Sequence, residues 1–236
     1  MISAIIVAAG KGVRMNADNK KQYLQLGGEP VVIRTLRVFC DCGLIDAIYL
    51  VVPPSDGTYC RELIHQYPGL RADCRVIEGG ETRQESVYEG LLAMERETTE
   101  KDLVVIHDGV RPLVPLEGIE ACVESAQKNG ACILALPAQD TLKQVETSSD
   151  IITGTLMRRD IWLAQTPQVF NYALIRNAHE RALNEDVNGT DDAMLVERIS
   201  FPVRVVPGSK INLKITTPED LVIAEALISG GAFTGS

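Results

Sequence analysis

Short apolar runs, separated by stretches with helical spacing, constrain the fold of this chain more than any other feature. Two such runs are Ile2–Val7 and Ala47–Val52, and two more occupy residues 103–106 and 131–136. Their apolar residues are continuous rather than alternating, which is typical of strands that are buried on both faces. Strands of this kind belong to parallel sheets whose faces are covered by helices. The pattern therefore predicts an α/β fold.

The stretches between these runs have the spacing of amphipathic helices. Helices are predicted over residues 30–40, 82–96, 172–183, 191–198 and 218–227. The last of them follows Thr217, a residue type that caps helices, and begins with Pro218, which suits the first helical position. We expect a single Rossmann-like domain over residues 1–236, with a mainly parallel sheet covered by helices on both faces.

Residues 138–159 depart from this alternation of buried strands and amphipathic helices. The segment is polar, rich in Thr and Ser, and alternates weakly around residues 142–145 and 151–153. A structureless loop of about twenty residues is uncommon in a compact domain and is usually functional. We expect the segment to form a β-arm that protrudes from the domain and contributes to dimerisation. A plain surface loop is the simpler alternative.

The charge of the chain narrows the class of ligand. The formal net charge is −9 at pH 7, whereas binding to nucleic acid or to an anionic membrane depends on clustered Lys and Arg. We therefore expect neither partner. A small anionic substrate remains compatible with this charge, because a local cluster of cations can oppose the net charge of the whole chain.

The cysteines and the first residues of the chain indicate the cellular compartment of the protein. None of the six cysteines forms a CxxC pair and the chain has three histidines, so the spacing does not indicate a zinc site. Free thiols are typical of a reducing compartment. The apolar run at residues 2–10 is too short for a signal peptide or a membrane span. These features predict a cytoplasmic protein.

A glycine-rich loop follows the first predicted strand. Gly10 and Gly12 allow the backbone to approach a phosphate group and to offer N–H donors. Met15 stands where a dinucleotide fingerprint needs a third glycine, and no P-loop pattern is present. The loop instead supplies Arg14 and is followed by Lys21, two cations that suit a reacting phosphorus centre. An ordinary glycine-rich turn with solvated basic residues explains the loop alone equally well.

Further motifs follow in order along almost the whole chain. They are AAGKGVRM at 8–15, KKQY at 20–23, EGGETRQESV at 78–87, VIHDGVRP at 105–112, RRDIWLAQTPQ at 158–168, TDD at 190–192 and LKITTPED at 213–220. The first two resemble the signature of nucleotidyltransferases that activate sugars and sugar alcohols. Together, the motifs resemble the 2-C-methyl-D-erythritol 4-phosphate cytidylyltransferase family of non-mevalonate isoprenoid synthesis.

The resemblance implies a reaction as well as a fold. It implies that CTP and 2-C-methyl-D-erythritol 4-phosphate are converted to 4-diphosphocytidyl-2-C-methyl-D-erythritol and pyrophosphate, with magnesium (Mg²⁺) as cofactor. A phosphate oxygen of the acceptor would attack the α-phosphorus of CTP. Because that phosphate is already ionised, catalysis would consist of positioning and charge stabilisation.

The resemblance also implies roles for individual residues. Arg14 and Lys21 match the catalytic cations, although Lys20 stands where the family commonly has Pro and is an alternative to Lys21. Asp108 matches the metal ligand. Ile211 stands where the family often has an acidic residue, so the resemblance does not supply a second carboxylate for the metal. The residues that match the CTP site are Ala8, Ala9, Gly10, Gly12, Gly80 and Ser86.

The acceptor site needs cations of its own, and Arg suits bidentate binding of a phosphate. The matching residues are Arg111, Thr141, Arg158, Thr166, Thr190 and Lys214. In the family, the arm crosses to a second subunit and helps to bind the acceptor there. The resemblance therefore implies a homodimer in which each arm completes the site of the partner.

Two alternatives remain open. A ribitol or ribulose 5-phosphate cytidylyltransferase would use the same mechanism on a different acceptor, and a difference of one methyl group is worth only about 1–3 kcal/mol of discrimination. A nucleotide-binding regulatory module would show no turnover. Among the histidines, His107 is expected to be structural because the reaction needs no imidazole base. His65 and His179 are expected on exposed helices.

Overall fold

The computed structural model describes residues 1–10, 20–67, 69–70 and 74–231. Within these residues the helices are α1 (Val31–Asp41), α2 (Gly57–His65), α3 (Arg83–Ala93), α4 (Leu116–Asn129), α5 (Tyr172–Asn184), α6 (Asp192–Arg198) and α7 (Pro218–Ser229). The strands are β1 (Ile2–Val7), β2 (Gln25–Leu26), β3 (Glu29–Pro30), β4 (Ala47–Val52), β5 (Cys74–Glu78), β6 (Leu103–Asp108), β7 (Ala131–Pro137), β8 (Leu142–Glu146), β9 (Ile151–Leu156), β10 (Trp162–Asn171) and β11 (Arg204–Pro207).

A seven-stranded sheet forms the centre of the molecule, in the order β11-β7-β10-β6-β1-β4-β5. Strand β10 is antiparallel to both of its neighbours, and the other pairs are parallel. The predicted mainly parallel α/β sheet is thus confirmed, and the antiparallel β10 is an addition that the sequence pattern did not indicate.

Two apolar layers cover the sheet because successive side chains of a strand point to opposite faces. In β1, Ala4 and Ile6 pack in one layer with helices α1, α2 and α4. Ile5 and Val7 pack in the other with helices α3, α5 and α6. A buried strand therefore needs apolar residues at every position, which is why these strands read as continuous apolar runs.

Residues 138–159 contain a two-stranded antiparallel sheet that is separate from the central one. Strand β8 pairs with β9, with a register shift after Gln144. Most of its side chains are exposed, among them Ile151 and Ile152. We call β8, β9 and their turn the hairpin. Its protrusion as a dimerisation arm stays a prediction.

Two further features bear on the sequence predictions. Each of the six cysteines is described, and no disulfide joins any two of them. In the described part of the chain, no helix is long and apolar enough to cross a membrane.

Candidate active site

Two adjoining clefts lie at the carboxyl edge of the central sheet, each about 240 Å³ in volume. Open α/β sheets bind their ligands at this edge. The clefts share three lining residues, Arg83, Asp108 and Lys214. One cleft extends toward the end of β1 and the other toward β10, and we call them the β1 cleft and the β10 cleft. Two ligands bound in them would meet at the shared charged residues.

The β1 cleft contains most of the residues that were predicted to bind a nucleotide. Its lining includes the predicted residues Ala8, Ala9, Gly10, Lys21 and Ser86. The lining also includes Thr82, the N-cap of α3, whose side chain accepts a hydrogen bond from the Glu85 amide. These residues meet because β1 and the turn before α3 end at the same edge of the sheet.

The pair Gly79-Gly80 lets this turn approach β1 closely. A Cβ atom at Gly79 would lie 2.7 Å from Ser86 Oγ and 2.9 Å from the Cβ of Ala9. A Cβ atom at Gly80 would clash with the Cβ of Glu85. Side chains at either position would therefore disturb the start of α3. Gly80 does not line the β1 cleft within the described residues, so the structure assigns it a part in the turn.

Ser86 is buried rather than solvated, with 1% of its surface exposed. Its hydroxyl donates a hydrogen bond to the Thr82 carbonyl at 2.8 Å and lines the β1 cleft. Ser86 is therefore not a solvated residue on the outer face of α3. Reading of the base by Ser86 stays a prediction.

The structure separates the two adjacent lysines. Lys20 Nζ lies 2.6 and 2.7 Å from the carboxylate oxygens of Asp56, away from the cleft lining. Lys21 lines the β1 cleft. This geometry favours Lys21 over Lys20 as the cation that meets a triphosphate. Arg14 and Gly12, the other predicted residues of this loop, lie outside the described residues.

Asp108 is the charged centre of the site. It ends β6, and its side chain is 8% exposed. Arg83 Nε lies 3.0 Å from Oδ1, Lys214 Nζ lies 2.8 Å from Oδ2, and Arg111 Nε lies 3.6 Å from Oδ2. Burial alone would raise the pKa of Asp108, but these three cations outweigh it and hold the pKa well below its usual value. The carboxylate is therefore ionised in any physiological buffer.

Strand β10 brings Thr166 to Asp108 through an irregularity. The register with β7 shifts between Ala164 and Gln168, and such bulges redirect side chains. The hydroxyl of Thr166 accepts a hydrogen bond from the Asp108 amide at 3.1 Å and lies 3.1 Å from His107 Nδ1. Thr166 lines the β10 cleft, and its contact with the acceptor stays a prediction.

Arg111 and Thr190 also line the β10 cleft. Arg111 donates from Nη1 to the carbonyl of Asn212 at 2.7 Å. Its Nε–H is buried and has no hydrogen-bond partner among the described residues. The same Nε lies 3.6 Å from Asp108 Oδ2, so it forms an ion pair with that carboxylate instead of a hydrogen bond.

Arg83 is a site residue that the sequence analysis missed. It joins two buried carboxylates, Asp108 through Nε and Asp192 through Nη1 at 2.8 Å, and it lines both clefts. These carboxylates raise its pKa further above the usual arginine value, against the effect of burial. Its presence in the motif at 78–87 was the available signal, but only the fold shows that Asp192 is near.

Of the three histidine predictions, two are confirmed and one is wrong. His65 is exposed at the end of α2, as expected. His107 is fully buried, with Nε2 lying 3.1 Å from the Arg111 carbonyl, so its expected structural role is confirmed. Burial lowers the pKa of His107 to about 4. His179 was expected on an exposed face, but it is 1% exposed and its Nε2 lies 3.1 Å from Asp192 Oδ1. That prediction was wrong because α5 turns this residue toward α6.

Thr141 and Arg158 lie apart from the clefts. Both are exposed, and neither lines the β1 or β10 cleft in the described part of the chain. A guanidinium N–H of Arg158 donates to the Gln139 carbonyl. Their predicted contact with the acceptor across a dimer stays a prediction.

The side chains around Asp108 fit a magnesium ion in one binding mode, in which the protein supplies a single carboxylate. No cluster of three or more acidic, His or Cys side chains suitable for a metal occurs in the described ranges, so a cage made by the protein alone is absent there. Mg²⁺ commonly binds through one or two carboxylates together with substrate phosphates and water. The single carboxylate of Asp108, at the junction of the two clefts, suits that mode.

The fold and the two clefts define a class of protein. A sheet edge with two adjoining clefts, lined by Lys21, Arg83, Arg111 and Lys214, can bring two anionic substrates together. Comparison with known proteins identifies the class as the nucleotidyltransferases. The residues 2–230 match the model of the family described as IspD, 2-C-methyl-D-erythritol 4-phosphate cytidylyltransferase. The chain belongs to this family of enzymes.

Individual relatives agree with this assignment. The chain is 48% identical over 227 residues to 2-C-methyl-D-erythritol 4-phosphate cytidylyltransferase of Geobacter metallireducens, with 96% of this chain and 97% of the relative covered. The enzyme of the same name from Geotalea uraniireducens is 47% identical, with 96% of each chain covered.

Solved structures resemble the chain in fold as well. The crystal structure of 4-diphosphocytidyl-2C-methyl-D-erythritol synthase from Anaerococcus prevotii has a TM-score of 0.82 at 34% identity, and the match covers 97% of this chain and 96% of that one. The cytidylyltransferase from Thermus thermophilus has a TM-score of 0.77 at 33% identity, covering 97% of this chain and all of that one.

Proposed function

We propose that this chain transfers the cytidylyl group of CTP to 2-C-methyl-D-erythritol 4-phosphate and releases pyrophosphate, with magnesium as cofactor. The observation that carries the proposal is the junction of the two clefts at Arg83, Asp108 and Lys214. CTP would occupy the β1 cleft and the acceptor phosphate the β10 cleft. The names of the relatives supply the two substrates.

The chemistry requires positioning rather than a base. The acceptor phosphate is ionised at neutral pH, so its oxygen can attack the α-phosphorus of CTP directly while the bond to pyrophosphate breaks. Lys21 would stabilise the negative charge that develops on the triphosphate. Arg111 and Lys214 would hold the acceptor phosphate, with Thr166 as a hydroxyl partner. His107, whose pKa is lowered to about 4, remains neutral and takes no proton.

Asp108 would hold the magnesium ion together with oxygen atoms of the triphosphate. The ion would supply charge neutralisation at the phosphates. Arg83 and Lys214 already contact the two oxygens of Asp108. We therefore expect the carboxylate to be fixed in orientation before any ligand binds.

The hairpin supports the proposal of a homodimer. It and the residues that follow it expose several large apolar side chains, and exposed apolar surface on a small hairpin indicates an interaction site. These residues are Val145, Ile151, Ile152, Leu156, Met157 and Trp162. A second copy seated there would bury them and would bring Thr141 and Arg158 toward its β10 cleft. The cytoplasmic location likewise stays a prediction.

The test is pyrophosphate release by the purified protein with CTP and Mg²⁺. Methylerythritol phosphate, ribitol 5-phosphate and ribulose 5-phosphate are offered in parallel, at matched concentrations. We expect a clear preference for methylerythritol phosphate. A preference for a pentose or pentitol phosphate would keep the mechanism but replace the acceptor. Binding of CTP without turnover on any of the three would contradict the proposal and favour a regulatory module.

A further inference from the structure

A buried carboxylate lies behind the β1 cleft and outside its lining. Asp56 ends a short 3₁₀ turn, Pro54–Asp56, that follows β4, and its side chain is 11% exposed. It accepts hydrogen bonds from Lys20 Nζ at 2.6 and 2.7 Å and from the Tyr23 hydroxyl at 2.7 Å. The Ser55 hydroxyl adds a contact at 2.8 Å. One carboxylate therefore binds both Lys20 and Tyr23, which are three positions apart in the chain.

Those two residues lie on either side of Lys21. A second 3₁₀ turn, Lys21–Tyr23, has no side-chain cap of its own. Asp56 holds Lys20 before the turn and Tyr23 at its end. The remaining member, Gln22, is 1% exposed and donates from Nε2 to the Gly10 carbonyl at 3.3 Å. Each chain neighbour of Lys21 is thus tied to the body of the domain, while Lys21 itself lines the cleft.

The two lysines therefore have different electrostatic surroundings. Asp56 pairs with Lys20, which directs one of two adjacent positive charges away from the cleft. Burial alone would raise the pKa of Asp56, but the hydrogen bonds from Lys20, Tyr23 and Ser55 outweigh it and lower the pKa. Asp56 is consequently ionised at neutral pH. A neutral side chain at this position would hold Lys20 far less tightly.

We propose that Asp56 is a positioning residue that fixes the turn carrying Lys21, so that this lysine meets the triphosphate in a defined place. A lysine side chain is long and flexible, and an anchored backbone removes part of that freedom before the substrate binds. Misplacement of a reacting group by about 1 Å can cost about 100-fold in rate. The inference rests on the proposed function, in which Lys21 acts on CTP.

The first test uses Asp56→Asn, which keeps the shape of the side chain and removes its charge. We expect kcat to fall about 10- to 100-fold, while the half-saturating concentration of CTP changes by less than about threefold, because Asp56 touches no substrate. Tyr23→Phe removes only the hydroxyl contact and should lower kcat less. Glu124→Gln, which breaks an exposed ion pair with Lys128 on α4, is the matched control and should keep full activity.

A double-mutant cycle separates positioning of Lys21 from a general structural effect. If Asp56 acts through Lys21, then Asp56→Asn lowers kcat strongly in the wild type and hardly at all in Lys21→Ala. Equal factors in both backgrounds, or a wild-type kcat for Asp56→Asn, would overturn the proposal.

Hydrogen exchange tests the same contact without any substrate. The amide of Tyr23 donates to the Lys20 carbonyl at 2.9 Å, and that of Leu24 donates to the Lys21 carbonyl at 3.3 Å. We expect both amides to exchange at least about tenfold faster in Asp56→Asn, because the turn opens locally. Unchanged exchange would refute the anchoring role. This measurement uses no substrate, so its outcome does not depend on which acceptor the protein uses. Failure of the anchoring role can therefore be told apart from failure of the proposed function.

Discussion

The clefts and the hairpin carry predicted site residues in opposite physical settings. At the clefts, Asp108 and Thr166 are buried and bound to several neighbours. At the two ends of the hairpin, just outside its strands, Thr141 and Arg158 are exposed. A site made by one chain is stabilised by its own fold, whereas exposed residues acquire a defined place only when something binds them. The comparison predicts that mutations at the clefts act within one subunit and mutations at the hairpin act on the partner.

The largest effect is expected for Lys21→Ala. Loss of one charged group that stabilises the transition state costs about 10²–10³ in turnover. CTP binding should weaken much less, since other residues of the β1 cleft remain. Steady-state kinetics and calorimetric titration with CTP measure the two effects separately. Wild-type turnover would remove Lys21 from the mechanism.

Mixing subunits of two variants tests directly whether Arg158 acts on the cleft of the partner. In a mixed dimer of Lys21→Ala and Arg158→Ala subunits, one site would carry both lesions and the other would carry neither. At an acceptor concentration far below half-saturation, where Arg158→Ala dimers are nearly inactive, random mixing should then restore about a quarter of the wild-type activity, if the dimer is symmetric and each arm completes the partner's site. No recovery after confirmed subunit exchange would show that Arg158 does not act across the interface.

The next effect is expected for Arg83→Met, which removes the cation between two buried carboxylates. Asp108 and Asp192 are 8% and 1% exposed, and loss of one partner of a buried ion pair costs about 3–5 kcal/mol. Urea unfolding should show a free energy of unfolding lower by about 3 kcal/mol. Arg159→Met, in an exposed pair with Asp160, is the control. Equal stability of the two variants would mean that Asp192 finds another partner.

A smaller effect is expected for Arg158→Ala. A hydrogen bond to a charged group is worth about 1.5–3 kcal/mol, so the half-saturating concentration of the acceptor should rise about 10- to 100-fold. That of CTP should change little. Arg159→Ala provides a neighbouring arginine as the control. Equal increases for both substrates would argue against a contact with the acceptor phosphate.

Near neutral pH the smallest effect is expected from acid, at His107, and it grows as the pH falls further. Burial lowers the pKa of His107 from 6.5 to about 4 in the folded state, so the unfolded state binds a proton first as the pH falls. Stability should therefore be full above about pH 6.5 and decline toward pH 4, by up to about tenfold in the unfolding constant per pH unit. Asp108, whose folded pKa is lowered, loses its contribution to stability as the pH falls through its usual titration range and below.

Urea unfolding at several pH values measures this slope, and His107→Gln should flatten it. An NMR titration of the His107 ring would confirm the assignment. A ring that titrates near pH 6.5 in the folded protein would contradict the prediction.

Much of the fold follows from the sequence because the responsible interactions are local or periodic. Continuous apolar runs such as Ile2–Val7 predict strands that are covered on both faces, and the structure has them there. Thr217 caps α7 and is followed by Pro218 at the first helical position, as predicted. The motifs also predicted Asp108 and Thr166 as site residues, and both line the clefts.

The tertiary structure decided which side chains meet and which residues are buried. Arg83 lies 109 positions from Asp192 in the chain, yet they form an ion pair, and no periodic pattern records such a contact. His179 was predicted to be exposed because the polarity of a residue type says nothing about a buried partner. The choice of Lys21 over Lys20 likewise depended on Asp56, which only folding brings to the turn. Sequence determines local periodicity and residue chemistry, while long-range packing determines which groups share a site.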